Sequence, residues 1–221
     1  MKDQTFAAIA ASAPGLVERY CSETAGFAWP LYDEDSAPRT LSGADLTAPA
    51  LLSYPIKLTF LNEMSRDPAV GSQPNPYRNL YRAMVEFVQT PPSSTFTKLD
   101  RDAVVALRKD QYELSEAAAD WRKFLRCLEL VQSCKGLTSV AVTKILHRKR
   151  PDLIPINDSL LRAFYGSGRS YSKLFLSIFD DLHEHGEALR KIAGAYRTPS
   201  GRTMSELRAL DIAIWMHQRA A

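Results

Sequence analysis

Apolar residues recur at intervals of three and four along almost the whole chain, the spacing that lays one buried stripe along an α-helix. Tyr81, Met84, Val85 and Val88 form one such stripe, and Leu174, Phe175, Ile178, Phe179 and Leu182 another. The pattern predicts helices over 3–12, 14–24, 43–53, 55–66, 76–89, 100–109, 113–134, 139–148, 158–165, 172–194 and 204–218. Ser42-Gly43-Ala44-Asp45 reads as a capping box with aspartate in place of glutamate, and Pro49 threatens a kink in the helix it opens. Proline and small polar residues mark loops at 32–40, 67–76, 90–97 and 197–201. The expected class is all-α, a single two-lobed helical domain over 1–221, with the lobe boundary at 90–97 where Pro91-Pro92-Ser93-Ser94 interrupts the pattern. A short β-hairpin over 27–40 competes locally, although its alternation is poor.

Composition adds limits. Hydrophobic residues make up 45% and charged residues 24%, which suits a globular chain with a substantial core. No apolar run approaches the roughly 20 residues that span a bilayer, and Met1 to Phe6 opens no signal-peptide core, so the expected setting is cytoplasmic with no membrane partner. Cys127 and Cys134 are spaced two helical turns apart, too far to bridge, and three cysteines are too few for a conventional iron–sulfur site. Buried, reduced thiols and no cofactor are expected. His183 and His185 flank Glu184, but residues two apart on a helix point away from each other, so no metal site is expected there.

The charge is unevenly spread. Residues 135–221 hold 14 Lys and Arg against 8 Asp and Glu, whereas residues 1–134 hold 14 against 17, so a net +3 divides into +6 and −3. Such a bias suggests a phosphate-rich partner, with a solvated face as the plain alternative.

Residues 136–158 carry most of the candidate chemistry. Gly136-Leu137-Thr138 forms a turn before a short apolar helix, where a glycine and free helix N–H groups suit a phosphate, or simply end one helix and begin the next. Lys144 lies inside the apolar run 140–146 and needs a reason to be there. His147-Arg148-Lys149-Arg150 closes the helix at Pro151, and cations there are favoured by the helix dipole even without a ligand. Asp158 falls at the start of the next helix. It is either a cap, contributing about 1 kcal/mol, or a carboxylate able to activate water and stabilise positive charge on a sugar.

Taken together, this segment resembles the signature of the helix-hairpin-helix (HhH-GPD) DNA glycosylases over residues 130–165. Gly136 matches the first turn glycine and Asp158 the aspartate, at matching spacing; Thr138 replaces the second glycine, and Val140 stands where bifunctional members carry a Schiff-base lysine. The resemblance implies an HhH-GPD-like two-lobed fold with a degenerate hairpin. It also implies DNA as partner and a monofunctional base-excision reaction, with Asp158 assisting water attack as the N-glycosidic bond breaks. Gly136, Thr138, Ser139, Lys144, Arg148, Lys149 and Arg150 would then hold the nucleic acid through phosphate contacts. A second resemblance runs along most of the chain. It is to an uncharacterised bacterial family reading Lys-x-Leu-x-x-Lys-Arg-Pro-x-Leu-Ile-Pro-x-x-Asp, matched by Lys144 to Asp158, and ending near Leu-Arg-x-Leu-Asp-x-x-x-Trp-Met, matched by Leu207 to Met216.

Asp211 falls inside the buried stripe of the last helix, so a lysine or arginine partner is expected, with 144–150 a candidate source. Tyr77, Tyr81, Trp121 and Tyr165 have the chemistry to stack on a flipped base, but aromatics at helical spacing belong first to the core. Two other classes compete with the enzyme reading: a non-catalytic nucleic-acid-binding module on the same scaffold, and a protein-interaction or structural factor.

Overall fold

The computed structural model describes residues 5–22, 26–35, 37–66, 75–105 and 118–220. These form ten α-helices: α1 (Ala13–Cys21), α2 (Gly43–Thr47), α3 (Leu58–Ser65), α4 (Pro76–Gln89), α5 (Arg101–Val105), α6 (Ala119–Leu130), α7 (Ser139–Lys149), α8 (Ser159–Phe164), α9 (Tyr171–Gly194) and α10 (Glu206–Ala220). Among the described residues there is no strand, and one antiparallel bridge between Arg197 and Thr203 closes the loop before α10. The all-α expectation holds, and the described part of 27–40 is turns and irregular chain instead of a hairpin.

The helix starts follow from local chemistry. Asn75 caps α4 by accepting from the N–H groups of Tyr77 and Arg78, and Pro76 needs no partner in the first turn. Ser42 and Asp45 form the expected capping box of α2. Pro49 does more than kink the helix that follows. With no N–H to continue the ladder, α2 stops at Thr47 and the chain tightens into a 3-10 turn over Ala48–Leu52. Of the helix predicted over 3–12, the described residues keep a 3-10 turn at Phe6–Ala8. The later parts of the predicted helix 100–109 and the opening of 113–134 lie outside the described residues.

Helix α10 packs against α1, α8 and α9, while α4 packs against α3 and α6. Helix α7 packs against α2, α4, α6 and the 48–52 turn, and its first residue, Ser139, accepts from Tyr171 of α9. Apolar residues from both groups merge into one core, in which Trp121 stands against Phe96, Phe124 and Phe175 and donates its indole N–H to Ala103. The 90–97 stretch is a pinned crossing between helices. Phe96 is fully buried and its N–H donates to Asp152, while Arg150 donates to the carbonyls of Val88 and Thr90.

The turn between α6 and α7 positions the site. Gly136 has φ +82°, and a Cβ there would lie 3.0 Å from the edge of the Phe60 ring. Tyr77 donates to the carbonyl of Lys135, and the hydroxyls of Tyr54 and Thr138 are 2.7 Å apart. Replacing Gly136 with alanine is expected to lower the unfolding free energy by roughly 1–2 kcal/mol through left-handed backbone strain, plus the cost of moving Phe60. Urea unfolding followed by circular dichroism checks this; an unchanged midpoint would refute it.

Candidate active site

The basic segment is turned inward. Lys149, with a side chain only 1% exposed, reaches Asp35 at 2.9 Å and Asp45 at 2.8 Å. Arg148 pairs with Asp45 at 3.0 Å and donates to the carbonyls of Leu31 and Tyr32. Arg150 donates to the carbonyls of Pro38, Lys149, Val88 and Thr90. His147 is fully buried beside Ile154, and burial, with Arg208 adding to it, pushes its pKa down to about 3, so it carries no charge at neutral pH. Arg148, Lys149 and Arg150, expected to hold phosphates, direct these hydrogen bonds to the chain's own acids and carbonyls. The physical reason was present in the charge asymmetry, since the acidic excess of the first part partly neutralises the basic excess of the second within one molecule.

The remaining predicted residues separate. Gly136 and Thr138 are exposed on the turn. Ser139 is buried, and its hydroxyl accepts from Asn157 at 3.0 Å and Tyr171 at 2.7 Å. Asn157 also donates its backbone N–H to Thr143 and accepts from Arg162, so the start of α8 is locked to α7. That lock places Asp158 and Lys144 in one cavity.

Asp158 both caps a helix and lines a pocket. Its Oδ1 accepts from the N–H groups of Leu160 at 2.9 Å and Leu161 at 3.1 Å, capping α8, while Oδ2 lies 4.0 Å from the ammonium of Lys144. Both residues line a cavity of about 220 Å³. Lys144 donates to the carbonyl of Leu52 at 2.8 Å, and burial holds its pKa below the usual lysine value, against the opposing pull of Asp158 and Asp211. The cavity wall carries Phe27, Ile156 and Trp215.

Asp211 lines the same cavity and is 5% exposed. The expected cationic partner exists, but it comes from one turn earlier on α10 instead of from 144–150: Arg208 donates to Asp211 Oδ2 at 2.5 Å. Arg208 also holds Asp33 at 3.0 Å and donates to the Tyr20 hydroxyl at 3.0 Å. Asp211 Oδ1 takes no hydrogen bond from the described residues. Desolvation, with Asp158 adding to it, raises the Asp211 pKa to about 6 although Arg208 and Lys144 oppose the shift. Sequence reasoning missed Tyr20, Phe27, Arg208 and Trp215 as cavity residues, because α1, the chain after it and α10 meet only in three dimensions.

Among the described residues, Asp181, Glu184 and His185 on α9 bring ligand-type atoms within 4.8 Å of one another, but Asp181 already accepts from Phe6 N and the Tyr165 hydroxyl. Expected core aromatics Trp121 and Tyr165 are buried, and Tyr77 and Tyr81 pack partly buried against the core. No helix of the described residues is long and apolar enough to cross a membrane.

A family profile described as "Family of unknown function (DUF6308)" matches residues 81–218. No curated protein and no solved structure matches the chain. The matched stretch includes Lys144, Asp158, Arg208, Asp211 and Trp215, while Tyr20, Phe27 and Leu52 come from the part before it.

Two expectations follow. Lys149→Ala leaves Asp35 and Asp45 buried with one fewer cation, and urea unfolding should show a loss of about 3–5 kcal/mol, the usual cost of breaking a buried pair from one side; a loss below 1 kcal/mol would mean that the pair is idle. Asp211, with its folded pKa raised, binds its proton more tightly in the folded than in the unfolded chain. Its contribution is therefore present below pH 3.8 and is lost as pH rises to about 6. The stability of wild type relative to Asp211→Asn should fall across that window by on the order of 3 kcal/mol, read from paired melting curves. A difference that stays flat with pH would contradict the assignment.

Proposed function

We propose that this chain, which belongs to the DUF6308 family of unknown function, hydrolyses an N-glycosidic bond, with Asp158 as the catalytic carboxylate and a base in DNA as the substrate. The observation that carries the reading is the position of Asp158. Its Oδ1 is committed to the helix cap, and its Oδ2, which takes no hydrogen bond from the described residues, borders a cavity beside Lys144. A fixed carboxylate at a cavity wall is suited to orient a water toward C1′ and to stabilise the positive charge that develops on the sugar as the base departs.

The rest of the resemblance to HhH-GPD glycosylases supplies the finer reading: two helical lobes, a degenerate hairpin turning at Gly136-Leu137-Thr138, and a nucleotide turned out of the duplex into the cavity. The exposed Gly136–Thr138 turn, with exposed Lys135 beside it, supports a backbone contact there. Arg148, Lys149 and Arg150 bond to the chain's own acids and carbonyls, so in this reading the turn takes the backbone contact.

Lys144 favours a second reading. The lysine position of bifunctional glycosylases is Val140, but Lys144 lies on the next turn of α7 and places an ammonium of lowered pKa beside Asp158. An unprotonated amine there would attack C1′, displace the base and, after the sugar ring opens, leave an imine to the protein.

One experiment separates these. Purified protein is incubated with lesion-bearing duplexes and with free nucleosides, and base release is measured for wild type, Asp158→Asn and Lys144→Met. The proposal expects release from duplex that falls about 10²–10⁴-fold in Asp158→Asn. Borohydride trapping of a protein–DNA adduct that vanishes in Lys144→Met selects the second reading. Release from nucleosides alone would overturn DNA as substrate, and no release from any substrate in a broad panel would overturn the enzymatic reading.

A further inference from the structure

Three cations, Lys144, Arg208 and Arg219, and two acids, Asp158 and Asp211, line the cavity. Arg208 is engaged by Asp33, Asp211 and the Tyr20 hydroxyl. Lys144 keeps donors to spare. One of its three N–H groups goes to Leu52 O, and Asp158 Oδ2 at 4.0 Å lies beyond hydrogen-bond distance. Its side chain is only 6% exposed, so an acceptor for the remaining N–H groups has to stand in the cavity itself. Arg219 is exposed, and among the described residues it has neither an ion pair nor a hydrogen bond.

Arg219 also has a fixed place. Asp211, Trp215 and Arg219 follow one another at intervals of four along α10, so they form one stripe with steps of about 6 Å. Exposure rises along it, from buried Asp211 through half-buried Trp215 to exposed Arg219, so the stripe runs from the floor of the cavity to its mouth. Helical side chains lean toward the N-terminus, and Arg219 does so. Its guanidinium carbon lies 4.6 Å from the centre of the Trp215 ring and 5.8 Å from that of Phe27, two rings of the cavity wall. The cation is thereby held at the opening and turned away from the carbonyl end of α10, which repels anions.

We propose that the cavity binds a phosphate ester, with Arg219 on the phosphate at the mouth and Lys144 on an oxygen of the part that enters. The proposal deepens the N-glycosidic reading and rests on it for the identity of that part as a nucleoside. Size favours partial entry: about 220 Å³ is below the 300–1,000 Å³ of pockets that enclose a drug-sized ligand, so a charged group stays outside. Charge favours the same orientation. Inside, Asp158 and Asp211 stand against Lys144 and Arg208, whereas Arg219 has no acid against it. A guanidinium suits this position, because its planar fork matches two phosphate oxygens while its face rests on an aromatic ring. A phosphate on a sugar is common to a free nucleotide and to a nucleic-acid strand.

The test uses the full-length protein with deoxyadenosine, deoxyadenosine 5′-monophosphate and a short single-stranded deoxyoligonucleotide. Binding is read by calorimetry and by quenching of the share of indole fluorescence that a Trp215→Phe variant removes. In low salt the monophosphate should bind at least about tenfold more tightly than the nucleoside, and added salt should shrink that margin. Arg219→Gln, a change at an exposed side chain, should abolish the margin and leave nucleoside binding unchanged. Lys144→Met should weaken both ligands alike, and unaltered binding there overturns the inner contact. Equal binding of nucleoside and monophosphate, a margin that survives Arg219→Gln, or no binding of either at millimolar concentration overturns the proposal. The oligonucleotide identifies the source of the phosphate: Arg219-dependent binding tighter than that of the monophosphate assigns a strand, and binding no tighter assigns a free nucleotide. Base release separates the two claims. A phosphate margin without base release from any substrate sinks the N-glycosidic reading and leaves the phosphate site standing. Base release that Arg219→Gln does not slow, with no phosphate margin, does the reverse.

Discussion

The structure depends on the ion-pair clasp between the acids of residues 33–45 and the cations of α7 and α10. Asp33 meets Arg208, Asp35 meets Lys149, and Asp45 meets both Lys149 and Arg148. Each of these side chains is largely withdrawn from water, which costs several kcal/mol per ion and is offset only because every cation also donates to a carbonyl, a hydroxyl or a second acid. The clasp is weak as a source of net stability and strong as a specification. An alternative packing of residues 26–35 and 37–41 would leave several buried charges without partners, and that penalty selects the observed arrangement. Because Lys149 and Arg148 terminate α7, the clasp also fixes the axial position of that helix, and with it Lys144.

Much of the helical layout was legible because periodic apolar spacing and caps are local. The Asn75-Pro76 start of α4, the Ser42/Asp45 box and the long α9 all sit where one turn of sequence determines them. The failures have local causes too. Residues 6–12 contain enough apolar positions to suggest a helix, but Phe6 is turned into the core and its N–H is taken by Asp181 on α9, a partner 175 residues away. Helix α2 ends at Thr47 because Pro49, four residues after Asp45, has no N–H to donate, and the chain finds a tighter turn.

The candidate site was half legible. Asp158 was readable as a group near a helix start, and Asp211 as a buried acid in need of a cation, because both follow from position on a helix. Their meeting was not readable. It requires Asn157 to bond with Ser139 and Thr143 across the α7–α8 junction, and it requires α10 to lie beside both. The basic segment is ambiguous for an instructive reason. A run of cations looks the same in sequence whether its counter-charges are phosphates or the chain's own aspartates, and only the long-range fold distinguishes them. The acidic excess of the first 134 residues was the available signal, and it had to be weighed as a partner instead of as background.

The clasp has a consequence for how the chain is partitioned. Its acids all precede residue 46, its cations all follow residue 147, and the cavity draws Phe27 and Leu52 from one side and Lys144, Asp158 and Trp215 from the other. No single cut between residues 53 and 143 yields a piece that holds both the charges and the counter-charges, or both walls of the cavity. Covalent continuity is not itself what the arrangement needs, however. Two separately made pieces, divided within that span, would each carry complementary buried charge, and their reassociation would be steered by that complementarity.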